Sequence, residues 1–419
     1  MTSLRITNVH LVDPEHQTIE LGNLSIKNGR IATDDPTLPS FDGQGKYLAP
    51  GIVDIGVKVC EPGERHKESF RSAGLSAAAG GVTTLITRPD TNPAVDSPET
   101  LEFASRRAQA TCAVRSYQVA ALTKGRLGKE MTEIGFLQDA GAIAFSDCDA
   151  VATNTKVLAR ALTYAGQLGA LVIGHPQDPG LSEGAAATSG KFATLRAIPA
   201  VSPMAERLGL ERDLAMVEMT GAKYHADQLS TALALPALER AKQQGLDVTA
   251  GVSIHHLTLN ELDVADYRSF FKVKPPLRSE DDRLAMISAL ANGLIDIISS
   301  MHTPQDEESK RLPYEQAASG AVALETLLPA ALRLYHAEQL SLPQLFRALS
   351  LNPSRRLGLD SGRLSLGAPA DLLIFDPDMP FVLDRFSLRS KSKNTPFDGQ
   401  RLQGRVLATF VSGKEVYTR

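Results

Sequence analysis

The stretch "VDIGVKVCEPG", residues 53–63, begins as an apolar, β-branched run and ends in a Glu-Pro-Gly turn. It predicts a buried strand delivering the chain to a turn. Side chains two apart on a strand share a face, so Gly56 and Lys58 are expected to project together into the space the strand lines. Neither suits a metal or a proton transfer. Glycine has no side chain, and a lysine near its reference pKa of about 10.4 is a cation that repels a metal ion.

Further runs of the same kind lie near 82–87, 113–119, 142–145, 170–174, 222–227, 248–254 and 294–299, giving eight with 51–57. Helix-like segments separate them. "KESFRSAGLSAAAGG" ends on glycine, and "NTKVLARALTYAGQLG" carries apolar residues at helical spacing. "STALALPALERAKQQG" opens on Ser230-Thr231 as a cap and closes on Gly245. Eight strand–helix repeats predict a (β/α)8 barrel over residues 51–362, with its chemistry at the C-terminal ends of the strands.

The flanks differ. In "LSIKNGRIA", Asn28-Gly29 between alternating segments is a two-residue hairpin signal. "PADLLIFDP" and "RVLATFVSGKEVYTR", with Ser412-Gly413 as a turn, give the other end the same character. Residues 1–50 and 363–419 are therefore expected to form one small β-sandwich built from both termini, in an α/β chain overall.

The 419 residues carry 44 basic and 48 acidic side chains, a formal net charge of −4 that argues against a nucleic-acid surface. Cys60, Cys112 and Cys148 are too few and too spread for a disulfide framework and suit a reducing compartment. The first residues lack the blocks of a signal peptide, and no apolar run is long enough to span a membrane. A cytoplasmic protein is expected.

Inspection of the strand ends gives Gly56, Lys58 and Cys60 on strand 1, and Arg88, Asp90 and Asn92 in "TRPDTNP" on strand 2. Strands 4 to 8 end in "FSDCD", "IGHPQD", "YHADQLST", "IHHLTL" and "SSMHTPQ". The histidines at 175, 225, 255, 256 and 302 suggest a metal, but histidine ligands must converge. On a regular strand His225 and Gln228 would face opposite ways.

The chain resembles the type I dihydroorotases of the amidohydrolase superfamily from end to end. The resemblance rests on "APGIVDIGVKVCEPGERHKE", "AAAGGVTTLITRPDTNP", "LTKGRLGKEMTEIGFLQDAGAIAFSD", "HHLTL", "FKVKPPLR", "GAVALETLLP", "NPSRRLGL", "ADLLIFDPD" and "NTPFDGQRLQGRV". It implies a zinc-dependent barrel with a terminal β-sandwich, and reversible closure of carbamoyl aspartate to dihydroorotate.

Residue by residue, most of the family's site is replaced. The two strand 1 histidines that grip metal are Gly56 and Lys58, and the substrate-pairing arginine beyond them is Cys60. Two substrate-side asparagines are Asp90 and Lys274. The strand 4 acidic ligand and the strand 5 histidine survive as Asp147 and His175. The strand 6 histidine is Gln228, the strand 8 aspartate that binds metal and moves the proton is Met301, and the histidine closing that motif is Gln305.

With Asp147 and His175 alone left, no catalytic residue and no bound metal are expected. A different, softer site from Cys60, Cys148, His175 and Asp147 is an alternative. The Lys58 ammonium is expected to replace the lost cation and pair with Asp147. His225, His255, His256 and His302, with Asn92, Arg278 and Glu325, read as framework.

Three functions follow. The first is a pseudoenzyme, because the resemblance includes inactive homologues that assemble with aspartate carbamoyltransferase; a homo-oligomer is expected as well. The second is an active amidohydrolase, a dihydroorotase or another cyclic-amide hydrolase, with an altered centre. The third is a metabolite-binding module in which Lys58, Arg88 and Lys274 attract an anion.

Overall fold

The computed structural model describes residues 3–264 and 266–419. One seven-stranded mixed sheet takes strands from both ends of the chain: β1 (Leu4–Asp13), β2 (Thr18–Lys27), β3 (Arg30–Ala32) and β4 (Ser40–Pro50) from the first, and β15 (Leu372–Val382), β16 (Arg401–Val411) and β17 (Lys414–Thr418) from the second, in the order β17-β16-β15-β4-β1-β2-β3. Asn28-Gly29 makes the β2–β3 turn, with Lys27 opposite Arg30, and Ser412-Gly413 makes the β16–β17 turn, with Val411 opposite Lys414.

The barrel is β5 (Ile52–Val57), β6 (Val82–Thr87), β7 (Arg115–Ala120), β8 (Ala144–Phe145), β9 (Leu171–Gly174), β12 (Lys223–Ala226), β13 (Val248–Ser253) and β14 (Ile297–Ser299), parallel and in that order. Each overlaps one of the eight runs read from the sequence, β7 extending one residue beyond its run. A small parallel pair, β10 (Ala187–Thr188) and β11 (Ala200–Val201), stands apart between β9 and β12. Val53, Ile55, Ile86, Val119, Ala144, Leu171, Ile173 and Ile297 form one packed cluster drawn from six strands, which fills the barrel.

Strands β5 and β14 close the barrel through polar contacts. The Asp54 carboxylate accepts the Ser300 N–H at 2.8 Å, and the Lys58 N–H donates to the His302 carbonyl at 2.9 Å. Asp54 is fully buried, and burial pushes its carboxyl up to about 6.

Helix ends follow local chemistry. Ser69 and Ser72 form a capping box on the helix Phe70–Ala79, and Asn154 caps Thr155–Gln167. The cap expected at Ser230-Thr231 divides. Thr231 caps a 3-10 turn, Ala232–Ala234, ahead of the helix Leu235–Gln243, whereas Ser230 binds Glu206.

That glutamate carried no sequence signal. Glu206 is fully buried; it accepts the Ser230 and Thr231 N–H groups at 2.8 and 2.9 Å and pairs with buried Arg278 at 3.3 Å. The pair joins the helix Met204–Thr220 to the end of β12 and to the segment after "VKPP". Among the described residues no helix is long and apolar enough to cross a membrane.

Candidate active site at the barrel mouth

The strand 1 end breaks the regular alternation expected of it. The β5–β6 register shifts between Ile55 and Val57, and Gly56 sits at φ +96°, where side chains rarely go. A Cβ at Gly56 would lie 2.5 Å from the Met301 Sδ and 3.1 Å from its Cε. The Met301 thioether therefore fills the space a side chain at 56 would need. Met301 is itself buried and left-handed, at φ +46°.

Lys58 does not pair with Asp147 as expected. Its Nζ lies 3.2 Å from Asp90 Oδ2, which also meets Arg88 Nη2 at 3.1 Å. Asp147 is satisfied from its own side, by the Thr123 N–H at 2.9 Å and the Thr123 hydroxyl at 2.5 Å. With both oxygens bound, Asp147 needs no cation, and the Lys58 ammonium takes the nearer carboxylate. Burial is the largest influence and works against the Lys58 charge, but Asp90 and Cys60 together carry the net direction up.

The network continues around the rim. Asp149 pairs with Arg126 at 2.9 Å, with Lys274 at 3.2 Å and with Arg88 at 3.8 Å. Burial raises the Asp149 carboxyl, yet Arg88 and Lys274 more than reverse it and hold it below the usual carboxylate range. Asp90 and Lys274, two positions read as altered substrate contacts, are thus joined through Arg88 and Asp149. Asp149 and Arg126 had no assigned role; their signal was only the charge density of "KGR" and "SDCD".

His175 is buried at the end of β9, and neither ring nitrogen meets a protein partner. Burial pulls its pKa down to about 3, so the ring is neutral. Gln228 lies two residues past β12 at φ +54°, so the strand is not regular there; His225 turns the other way, with Nδ1 2.9 Å from the Thr249 hydroxyl.

Cys60 (φ +63°) and Cys148 (φ +53°) are buried, and burial pushes both thiols up to about 12. Neither is a ready thiolate. Burial also pushes Asp227 up to about 6. The Gln305 amide donates to the Ser319 carbonyl at 2.9 Å.

The remaining histidines serve the frame. His256 Nδ1 lies 2.8 Å from the Ser253 hydroxyl, and its Nε2 faces the Pro275 and Pro276 carbonyls. His302 Nδ1 accepts the Ala323 N–H, and its Nε2 lies 3.4 Å from buried Glu68. His255 stacks near Phe397, with ring centres 6.0 Å apart. Glu325 accepts the Ser76 hydroxyl and the Arg389 N–H.

Comparison with known proteins places this architecture. The description "Dihydro-orotase-like" matches residues 45–233. The chain is 37% identical to the dihydroorotase of Desulforapulum autotrophicum, covering 99% of each chain. It is 34% identical to that of Aquifex aeolicus over 100% of both. The L-hydantoinase (dihydropyrimidinase) of Arthrobacter aurescens superposes with a TM-score of 0.91 at 26% identity, over 100% of this chain and 96% of that one. Full-length likeness at this identity, on a barrel closed and flanked in the same way, shows that the chain belongs to the dihydroorotase-like family.

Proposed function

We propose that this chain is a non-catalytic, cytoplasmic member of the family, acting in pyrimidine biosynthesis as a structural partner of aspartate carbamoyltransferase. The observation that carries the reading is Met301 lying over Gly56, with its Sδ 2.5 Å from where a Cβ would stand. One residue at the strand 8 proton-carrier position fills the space of a strand 1 metal-ligand position.

The residues present do not fit a zinc centre. A catalytic zinc takes about three protein ligands and keeps one position open. Here strand 1 offers a glycine and an ammonium tied to Asp90, Asp147 is bound to Thr123, and Met301 can neither take nor give a proton. Among the retained ligand positions only His175 has both ring nitrogens without a protein partner, and burial pushes the two thiols that could make a softer site up to about 12.

The framework supports a role as a scaffold. The barrel closure at Asp54, the Glu206–Arg278 pair and the two-ended sheet are complete, as a scaffold requires. A homo-oligomer belongs to this reading, with size-exclusion chromatography coupled to light scattering as its test.

A second reading, a cyclic-amide hydrolase with an altered centre, is favoured by the names of the relatives and by the free nitrogens of His175. One experiment separates them. Protein purified without added zinc is analysed for metal and assayed with carbamoyl aspartate and dihydroorotate in both directions. Substoichiometric zinc and no turnover are expected; near-stoichiometric zinc with amide hydrolysis overturns the non-catalytic reading. The partnership is tested by co-purification. It fails if aspartate carbamoyltransferase is fully stable and active without this chain.

A further inference from the structure

Away from the Lys58–Asp149 network, the segment between β15 and β16 meets the segment after β14, where the Gln305 N–H donates to Asn394 Oδ1 at 3.2 Å. Between them lies a cavity of about 290 Å3, lined among others by Phe270, Lys310, Arg385, Phe386, Lys391 and Lys393. Three of these are lysines whose ammonium groups meet backbone carbonyls only. Lys391 Nζ donates to Arg65 O, Lys393 Nζ to Leu388 O and Ser390 O, and Lys310 Nζ to Ser269 O and Ala318 O. Among the described residues no carboxylate lies within ion-pairing distance of any of them.

Lys310 is 4% exposed, and burial with Lys272 nearby pulls its pKa down to about 7. That is the behaviour of a cation lacking a counter-charge.

The carboxylates lining the cavity do not cancel this excess. Asp306 accepts the Ser309 N–H at 2.7 Å and faces His66 and Lys67, and Glu307 pairs with Arg311. Lys67 pairs first with Glu64, so Asp306 and Glu308 stand against the three lysines and the charge is still in their favour. The rim adds a flat apolar surface. Arg385 lies 5.1 Å from the Phe270 ring centre and 4.6 Å from that of Phe386, and Phe386 is 69% exposed.

We propose that this cavity binds a small molecule bearing oxyanions, carboxylate or phosphate, with a flat body against Phe386. The lysines supply the missing counter-charge, and the Arg385–Phe386 stack supplies a platform for a planar group. The cavity takes in Gln305 at its edge but none of the altered metal positions, so the proposal does not rest on the non-catalytic reading.

The test is a thermal-shift titration of the full chain with inorganic phosphate, with benzene-1,3-dicarboxylate, and with sodium chloride at matched ionic strength. A saturable rise in Tm of several degrees beyond chloride is expected with the dicarboxylate, and it disappears in Lys391→Gln/Lys393→Gln. A rise with phosphate that disappears in the same variant also supports the site and assigns its ligand to phosphate compounds. Phe386→Ala weakens the dicarboxylate effect and spares that of phosphate. Footprinting of the unmodified chain by lysine acetylation guards against misfolded variants: Lys391 and Lys393 are slowed by ligand, whereas Lys27 is not. Shifts no larger than with chloride, shifts kept by the double variant, or no protection of the two lysines overturn the proposal.

Discussion

The terminal sheet and the barrel mouth both bend the chain into left-handed backbone, and they do so with different residues. In the sheet, positive φ falls on Asn8 (55°), Gln17 (60°), Asn28 (53°) before Gly29, Gln44 (55°) and Ser412 (49°) before Gly413. All lie at the surface or are partly exposed, and the asparagines and serine are types that turns favour. At the mouth it falls on Cys60 (63°), Cys148 (53°), Gln228 (54°) and Met301 (46°), all buried. Each such residue costs on the order of 1–3 kcal/mol unless its surroundings over-determine it. The sheet places its bends where they cost little. The mouth places its bends in the buried interior, where only the packing around them holds them.

The largest expected effect comes from breaking the frame that carries the mouth. Arg278→Met leaves Glu206 charged and fully buried, and should destabilise the fold by about 3–5 kcal/mol in urea unfolding. A loss within a few tenths would mean that the frame does not depend on this pair.

Next is the plug. Gly56→His must displace Met301 and also adopt φ +96°, costing about 2–3 kcal/mol. Adding Met301→Ala should recover roughly 1 kcal/mol, a coupling that a double-mutant cycle reads directly. Additive losses would show that the two residues do not share one space.

In the ionic network, Asp90→Asn strips the carboxylate from Lys58 and Arg88. A loss of about 2 kcal/mol is expected, and Lys58→Met in the same chain should relieve part of it.

Asp54 supplies a pH test. Its folded carboxyl titrates near 6 rather than 3.8, so between these values the folded chain holds a proton that the unfolded chain has released. Its contribution is present at low pH and is lost as pH rises through about 6. Asp54→Asn keeps an acceptor for Ser300 and should stabilise the protein by about 1–2 kcal/mol at neutral pH, flattening that slope in Tm against pH. Asn28→Ala is the smallest change, costing roughly 1 kcal/mol through its φ of 53°.

Much of this was legible in the chain. The eight strands and both hairpins answered to local signals, namely β-branched runs, helical spacing and Asn-Gly or Ser-Gly pairs, because backbone period and turn conformation are short-range properties. At the strand ends, Gly56, Lys58 and Met301 carry their own chemistry in residue type alone.

Contacts across the mouth were not legible. Lys58 meets Asp90 rather than Asp147 because Thr123, 24 residues from Asp147 in the chain, already satisfies that carboxylate. Glu206 became the hub of the frame through partners 24 to 72 residues away.

By itself, then, the sequence determined the barrel and the two-ended sheet, since periodicity and turn chemistry are written locally. Only the tertiary structure decided which charge neutralises which and that Met301 occupies the space at Gly56. Those depend on a register shift and four left-handed residues, which aim side chains where strand alternation does not point them.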